Sequence, residues 1–283
     1  DEVDTMLTQG FGPDIKALTR QLIKKQDQTQ FVMVSATVTT ALKKLLNEGE
    51  FPKIRMVETR DVHQSLPNMK HSMIDCKGRD KISVLLEILS QIRGKNSKGS
   101  RTLIFCNTVS SAQALEHSLR ESEITSLCYH GEIPSADRSK LLARFKDGNP
   151  SVLVATDVAA RGLDMPEVDH VIMFDFPLNS IDYLHRSGRT SRMGKEGRVT
   201  SLLRKRDLVL ASAIEKAIVK GEPLDALSAR KSDYLPGGKL SNKPKKAIRE
   251  NRHSKKKTNP QKEGKLQFKE DRKVKKTRQF TRA

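Results

Sequence analysis

Cysteine is scarce and scattered: Cys76, Cys106 and Cys128 stand alone, with no CxxC pair among them. That spacing excludes a disulfide framework and argues against a zinc site. It leaves three small side chains suited to burial in a reducing compartment. No run approaches the roughly 18 apolar residues of a membrane span, so no membrane-spanning role is expected. No cleavable leader opens the chain, and a start at Asp1 reads as the edge of a fragment or a processed product. Internal repeats are absent too. What is present is 36% hydrophobic and 31% charged over 283 residues, enough for a sizeable core in one or two domains.

Positive charge is abundant but unevenly placed. Of the net +19, the stretch Ala229–Ala283 carries 20 Lys+Arg against 5 Asp+Glu, and the preceding 228 residues carry 33 against 29. The chain is therefore a nearly neutral body with a basic tail. Beyond Ala229 hydrophobic periodicity gives way to Lys, Arg, Asn, Ser and Gly, which predicts disorder. Such a tail can simply solubilise, or it can grip nucleic acid through counterion release. The second role is favoured because the body also points to RNA.

Within the body, QFVMVSAT (30–37) reads as a strand and TTALKKLLNEG (39–49) as a helix stopped by glycine. One strand and one helix make no core, so residues 1–58 read as the end of a domain that starts elsewhere, and TRDVHQSLP (59–67) as linker. A regular alternation follows. Strands are expected at 71–76, 101–108, 125–130, 151–156, 168–176 and 197–203, and helices at 79–92, 110–122 and 135–148. Short apolar runs separated by helices imply a parallel, doubly wound α/β sheet over residues 68–228.

Ligands of such sheets bind at the carboxyl ends of the strands. The residues found there are Asn107 and Thr108, Gly131, the stretch TDVAARGLD (156–164), and Asn179–Ser180 followed by YLHRSGRTSRMG (183–194). Arg186, Arg189 and Arg192 stand three apart. On one helix face, like charges at that spacing repel unless an anion lies between them. At the other end, DEVD (1–4) offers three carboxylates that could hold a hydrated Mg²⁺ and orient a water.

The ordered blocks DEVD, SAT (35–37), LIFCNT (103–108), VATDVAARGLD (154–164) and HRSGRTSR (185–192) resemble the C-terminal part of a DEAD-box RNA helicase, over residues 1 to about 220. His185, where DEAH relatives usually carry glutamine, favours the DEAD-box group. The resemblance implies a complete second RecA-like lobe at 68–228, preceded by the tail end of a first RecA-like, ATP-binding lobe at 1–58. A disordered basic tail, 229–283, would follow. It implies ATP and Mg²⁺ as ligands, with Asp1 reaching the metal through water and Glu2 positioning the hydrolytic water. Asp4, Ser35 and Thr37 would couple nucleotide state to lobe closure. Asp157, Gly162, Asp164 and His185 would line the nucleotide site between the lobes. Arg189 and Arg192 would be arginine fingers on the transferred phosphoryl group. Asn107, Thr108, Gly131, Arg138, Thr156 and Arg186 would face RNA, Arg186 either there or toward a neighbouring carboxylate.

Several positions depart from the family pattern. Val3 replaces the usual alanine, Ser135 stands where many members have glutamine, and Ser191 replaces a glycine, a change expected to be harmless if that residue is helical. No GxxxxGK[ST] occurs, so the chain alone is expected to be an inactive part of an RNA-dependent ATPase that locally unwinds short duplexes. The implied partners are structured ribosomal RNA and the rest of the first lobe, in a monomer without membrane contact. The subgroup most resembled is a plant chloroplast type linked to ribosomal RNA maturation. A mitochondrial or nucleolar site is the alternative. Two other functions fit parts of the pattern: a non-catalytic RNA-binding module made of the α/β lobe and tail, and a DNA helicase of the same superfamily.

Overall fold

A computed structural model describes residues 2–8, 11–23, 30–38, 42–43, 55–59, 62–94, 100–157, 165–225, 227–236 and 238–240. Two compact units are present, Asp1–Lys231 and Ser232–Ala283. The second is described only at 232–236 and 238–240, where a single 3-10 turn, Lys231–Tyr234, leads in. The rest of the expected disordered tail, 241–283, lies outside the described residues.

The first unit is built on a six-stranded sheet. Its strands are β1 (Met69–Asp75), β2 (Thr102–Phe105), β3 (Leu127–Tyr129), β4 (Val152–Ala155), β5 (His170–Met173) and β6 (Gly197–Leu203), in the order β1-β6-β5-β2-β4-β3. All neighbouring pairs are parallel. Parallel strands need crossovers, supplied here by α3 (Lys81–Gly94), α4 (Val109–Glu121) and α5 (Ser135–Lys146). Helix α6 (Ser180–Ser187) joins β5 to β6, and α7 (Leu208–Lys220) follows β6. Helices on both faces explain why every residue of β2, β4 and β5 is buried. Alternation sends Leu103, Phe105, Leu153 and Met173 against Leu210 and Ile214 of α7 and Tyr183 of α6. Ile104, Val154 and Ile172 face the other way, onto Leu85 and Leu89 of α3 and Leu115 of α4.

The doubly wound sheet is the one expected, and 197–203 matches β6 residue for residue. β1 starts two residues before its expected run of 71–76, at Met69, and β2 to β5 are shorter than their apolar runs. The cysteines behave as small buried groups: burial pushes the Cys106 thiol up to about 12 and the half-buried Cys128 thiol up to about 11.

The N-terminal segment differs from expectation. Residues 30–38 form no strand: Val32 and Val34 are exposed, and the run has no neighbouring strand among the described residues. Of the helix expected at 39–49, only Leu42 and Lys43 are described, both helical. Two unanticipated helices, α1 (Val3–Thr8) and α2 (Gly12–Ile23), precede them. Helices α6 and α7 were also not separated out by periodicity alone.

Candidate functional site

Strand β2 has β4 on one side and β5 on the other, so the chain's winding reverses around it. That reversal opens a crevice at the carboxyl ends. The groups that meet there are Asn107 after β2, Thr156 and Asp157 after β4, and Asp175 after β5, all gathered around Arg186.

Arg186 is 1% exposed although it carries a permanent charge. Its Nε and Nη2 donate to Asp157 Oδ1 and Oδ2 at 2.6 and 2.8 Å. Nη1 donates to the Asp175 carbonyl at 2.8 Å, and Nη2 also to Asn107 Oδ1 at 2.7 Å. Its guanidinium carbon lies 5.3 Å from the Phe105 ring centre. The bidentate fork is the geometry a planar guanidinium makes best. Arg186 is thus a clamp joining three strand ends, with every nitrogen engaged inside the fold; of the two partners expected for it, RNA or a neighbouring carboxylate, the structure shows the carboxylate. Asn107, expected at RNA, accepts from Arg186 through Oδ1 and donates from its amide to the Phe176 carbonyl at 3.0 Å. The Asp157 carboxylate, expected at the nucleotide, has both oxygens held by Arg186.

Asp175 was missed by sequence reasoning, yet it sits at the centre of this crevice. Its Oδ2 accepts from Asn107 N at 3.2 Å and Ser111 Oγ at 2.6 Å, while Oδ1 lies 3.7 Å from the Lys81 ammonium. The FDFP run read as the end of a strand, and only its Asp, polar within a buried stretch, hinted at more.

Thr108 caps α4, accepting from Ser111 N at 3.0 Å, and remains exposed. Gly131 follows β3 and is exposed. Arg138, on α5, reaches toward Tyr129: burial raises the Tyr129 pKa and Arg138 beside it partly offsets that. Thr156 is buried, and its hydroxyl has no hydrogen-bond partner among the described residues. The rim from β2 to β3 therefore exposes Thr108 and Gly131, with Arg138 half-buried behind them.

Helix α6 is capped by Asn179, whose Oδ1 accepts from Asp182 N at 2.8 Å, and it ends at Gly188. Arg186 lies in the α-helix, Arg189 in the turn that follows it, and Arg192 opens a 3-10 turn, Arg192–Gly194. Ser191 is left-handed (φ 62°), as is Met193 (φ 54°), so the helical condition on which the serine was expected to be harmless is not met. A glycine would be unstrained there. Ser191 is held by donating to the Lys195 carbonyl at 3.0 Å.

Arg189 is buried, its Nη2 3.7 Å from Glu2 Oε1. Burial and then the neighbouring Arg192 lower its pKa to about 10, with Glu2 opposing. Arg192 is half-buried, with Nε donating to the Gly188 carbonyl at 2.9 Å and its backbone N to Glu167 Oε1 at 2.9 Å. Two guanidinium groups that disfavour each other's charge, beside one carboxylate, form a place where an anion relieves repulsion. A triphosphate fits that description.

His185 lies one helical turn before Arg189, its Nε2 3.3 Å from Asp4 Oδ2, both side chains buried. Thr37 Oγ1 donates to the same oxygen. Ser35 Oγ donates to the Thr37 carbonyl at 2.7 Å. Burial alone would raise the Asp4 pKa, but hydrogen bonds from His185, Thr37 and Ser35 outweigh it and hold the carboxyl below its ordinary range. The structure thus brings Glu2, Asp4, Ser35 and Thr37 of the N-terminal segment against His185 and Arg189. Asp1, Gly162 and Asp164 lie outside the described residues. Among the described residues no cluster of three or more His, Cys, Asp or Glu is arranged for a metal ion.

Comparison with known proteins agrees with this arrangement. The helicase conserved C-terminal domain matches residues 80–194, and the DEAD/DEAH box helicase domain matches residues 1–45. The chain is 46% identical over 236 residues to DEAD-box ATP-dependent RNA helicase 39 of Arabidopsis thaliana, covering 81% of this chain and 37% of that protein. It is 35% identical over 225 residues to ATP-dependent rRNA helicase RRP3 of Scheffersomyces stipitis, covering 80% of this chain and 45% of the relative. The chain therefore spans less than half the length of these curated relatives. Among solved structures, S. cerevisiae Dbp5 bound to RNA and ADP BeF3 superposes with a TM-score of 0.68 at 30% identity, covering 77% of this chain and 56% of that one. Motif order, sheet topology and these similarities agree, and the chain belongs to the DEAD-box RNA helicase family.

Proposed function

We propose that these residues are the C-terminal part of an ATP-dependent RNA helicase that couples RNA-dependent ATP hydrolysis to local duplex unwinding. The observation that carries this is the meeting of Glu2 and Asp4 with Arg189 and His185. A nucleotide held by the first lobe would find guanidinium groups from the second beside its terminal phosphate. Arg189 and Arg192 would stabilise charge developing on the transferred phosphoryl group. Glu2 would position water. Mg²⁺, which Asp1 would hold through water, would neutralise phosphate charge.

His185, Asp4 and Thr37 would report lobe closure, because their contacts exist only while both segments face each other. RNA would run over the exposed ends of β2, β3 and β4, past Thr108, Gly131, Arg138 and Thr156. The similarity to RRP3 supports ribosomal RNA as the substrate class, and the sequence resemblance alone supports a chloroplast location.

The phosphate cradle would come from polypeptide preceding Asp1 in a longer protein. Strand displacement from a short RNA duplex tests the proposal, using the longest open frame containing these residues. ATP-dependent displacement is expected from a frame that encodes GxxxxGK[ST], and none from residues 1–283. Displacement by residues 1–283 alone, or none by a frame holding that motif, contradicts it.

A further inference from the structure

The carboxyl edge of β1 and β6 carries a cavity that no part of the nucleotide or RNA site uses. Its volume is about 590 Å³, within the range of small-ligand pockets. Two segments form its walls: Cys76–Asp80 between β1 and α3, and Arg204 and Lys205 after β6 with Leu208 at the start of α7. They lie side by side because Asp75 pairs with Leu203 and Cys76 N donates to the Leu203 carbonyl at 3.1 Å.

The lining contains Lys77, Arg79, Lys81, Arg204 and Lys205 against Asp75 and Asp80. Both acids are engaged locally. Asp75 Oδ1 accepts from Lys77 N at 3.0 Å, and Asp80 Oδ2 accepts from Ser83 N at 2.9 Å and Ser83 Oγ at 3.1 Å. Arg79 pairs outward with Glu87, and the buried Lys81 donates to the Phe174 carbonyl. Among the described residues, Lys77, Arg204 and Lys205 pair with no carboxylate. Burial lowers the Lys81 pKa, Asp175 opposes that shift, and Arg204 adds to it. Three exposed cations on two separate segments thus face a concavity whose floor is a fourth, buried one. Such an arrangement lowers the potential energy of a compact anion more than that of a flat phosphate track.

Its position separates it from the RNA face. Strand β6 is four places from β3 and three from β4. At roughly 4.8 Å per strand, the cavity lies about 15–20 Å from the rim that holds Gly131 and Thr156.

We propose that this cavity is a second anion site, separate from the nucleotide and RNA faces, that takes a small molecule bearing two or more phosphate groups. Lys77 and Lys205 would act as point charges, Arg204 as a bidentate donor, and Lys81 as the charged floor. Because Lys81 also faces Asp175, a ligand here would compete with Asp175 for that ammonium. Asp175 in turn orients Asn107 and Ser111, so occupancy would be felt in the central crevice. The proposal does not depend on helicase activity.

The test is an amide NMR titration of the 283-residue protein with inorganic pyrophosphate at fixed ionic strength. Saturable shifts are expected at Lys77, Gly78, Lys81 and Lys205. The Lys77→Ala/Arg204→Ala double variant should weaken the dissociation constant at least tenfold while its other amide shifts stay native. Arg192→Ala should leave the cavity shifts in place. Shifts confined to residues 189–195 or 229–283, or no saturation, would overturn the proposal. So would displacement of pyrophosphate by a single-stranded RNA decamer, which would assign the cavity to the RNA path.

Discussion

Removing the Arg186 side chain should destabilise the second lobe rather than act first on RNA affinity. Arg186→Ala deletes four hydrogen bonds at 2.6–2.8 Å and the guanidinium over Phe105, leaving Asp157 and the Asp175 carbonyl without their donor. Breaking a buried pair by removing one partner costs about 3–5 kcal/mol, because the remaining charge stays desolvated. The Asp157 side chain keeps 31% exposure, so water recovers part of that and the lower end, about 3 kcal/mol, applies. Against a typical stability of about 5–15 kcal/mol this is a large fraction. Arg186→Lys keeps the charge but loses the fork, and should cost about 2 kcal/mol.

Urea denaturation followed by circular dichroism measures both. A surface RNA contact would give the opposite pattern: unchanged stability, and a salt dependence of RNA binding shallower by about one unit. A change below about 0.5 kcal/mol for Arg186→Ala, the size of an ordinary surface substitution, would refute the clamp.

Three further outcomes follow from the same geometry. Burial lowers the pKa of both His71 and His170 to about 4, so below pH 6.5 the unfolded chain takes up protons that the folded chain refuses. Each should remove about 2 kcal/mol between pH 7.5 and 5.0, and an unchanged urea midpoint across that window would contradict it. Asp4 does not contribute there, because its low folded pKa makes it costly only below the ordinary carboxylate range. Gly197→Ala would place a Cβ 2.6 Å from Ser191 N, a backbone atom that no rotamer change can move. A loss of about 1–3 kcal/mol is expected, together with shifted amide resonances across 189–195; native resonances there would contradict the contact. His63 Nε2 accepts from Val38 N at 2.7 Å while Nδ1 lies 3.4 Å from Asp225 Oδ2, tying the segment after Thr37 to the end of the lobe. His63→Ala should speed amide exchange at Val38 at least tenfold, and unchanged exchange would show that the tie is idle.

The sheet was legible because its strands are short apolar runs buried on both faces, separated by helices with caps and glycine stops. GRVTSLL and SVLVAT needed no tertiary information. QFVMVSAT misled because a short β-rich apolar run marks a segment able to pair, and no pairing strand stands beside it among the described residues. Helices α1 and α2 were hidden by Asp, Val and Thr, poor helix formers whose local preference packing overrides. At the site, sequence located the crevice but not the direction of its side chains. Arg186 looked like a ligand because charge is visible in a sequence and burial is not. The available signal was spacing: Ser180, Tyr183 and Arg186 share one stripe at intervals of three, and all are buried. Asp175 was overlooked because its partners Lys81, Asn107 and Ser111 are distant in sequence.

On the proposed function, Arg189 and Arg192 serve a nucleotide bound by the other lobe. Single-stranded-RNA-stimulated ATP turnover of the longest open frame, with Arg192→Ala and Arg189→Ala compared to the parent, tests it most directly. Loss of about 10³-fold or more in kcat, with RNA affinity preserved, is the predicted result. Turnover within a few-fold of the parent in both variants would contradict it.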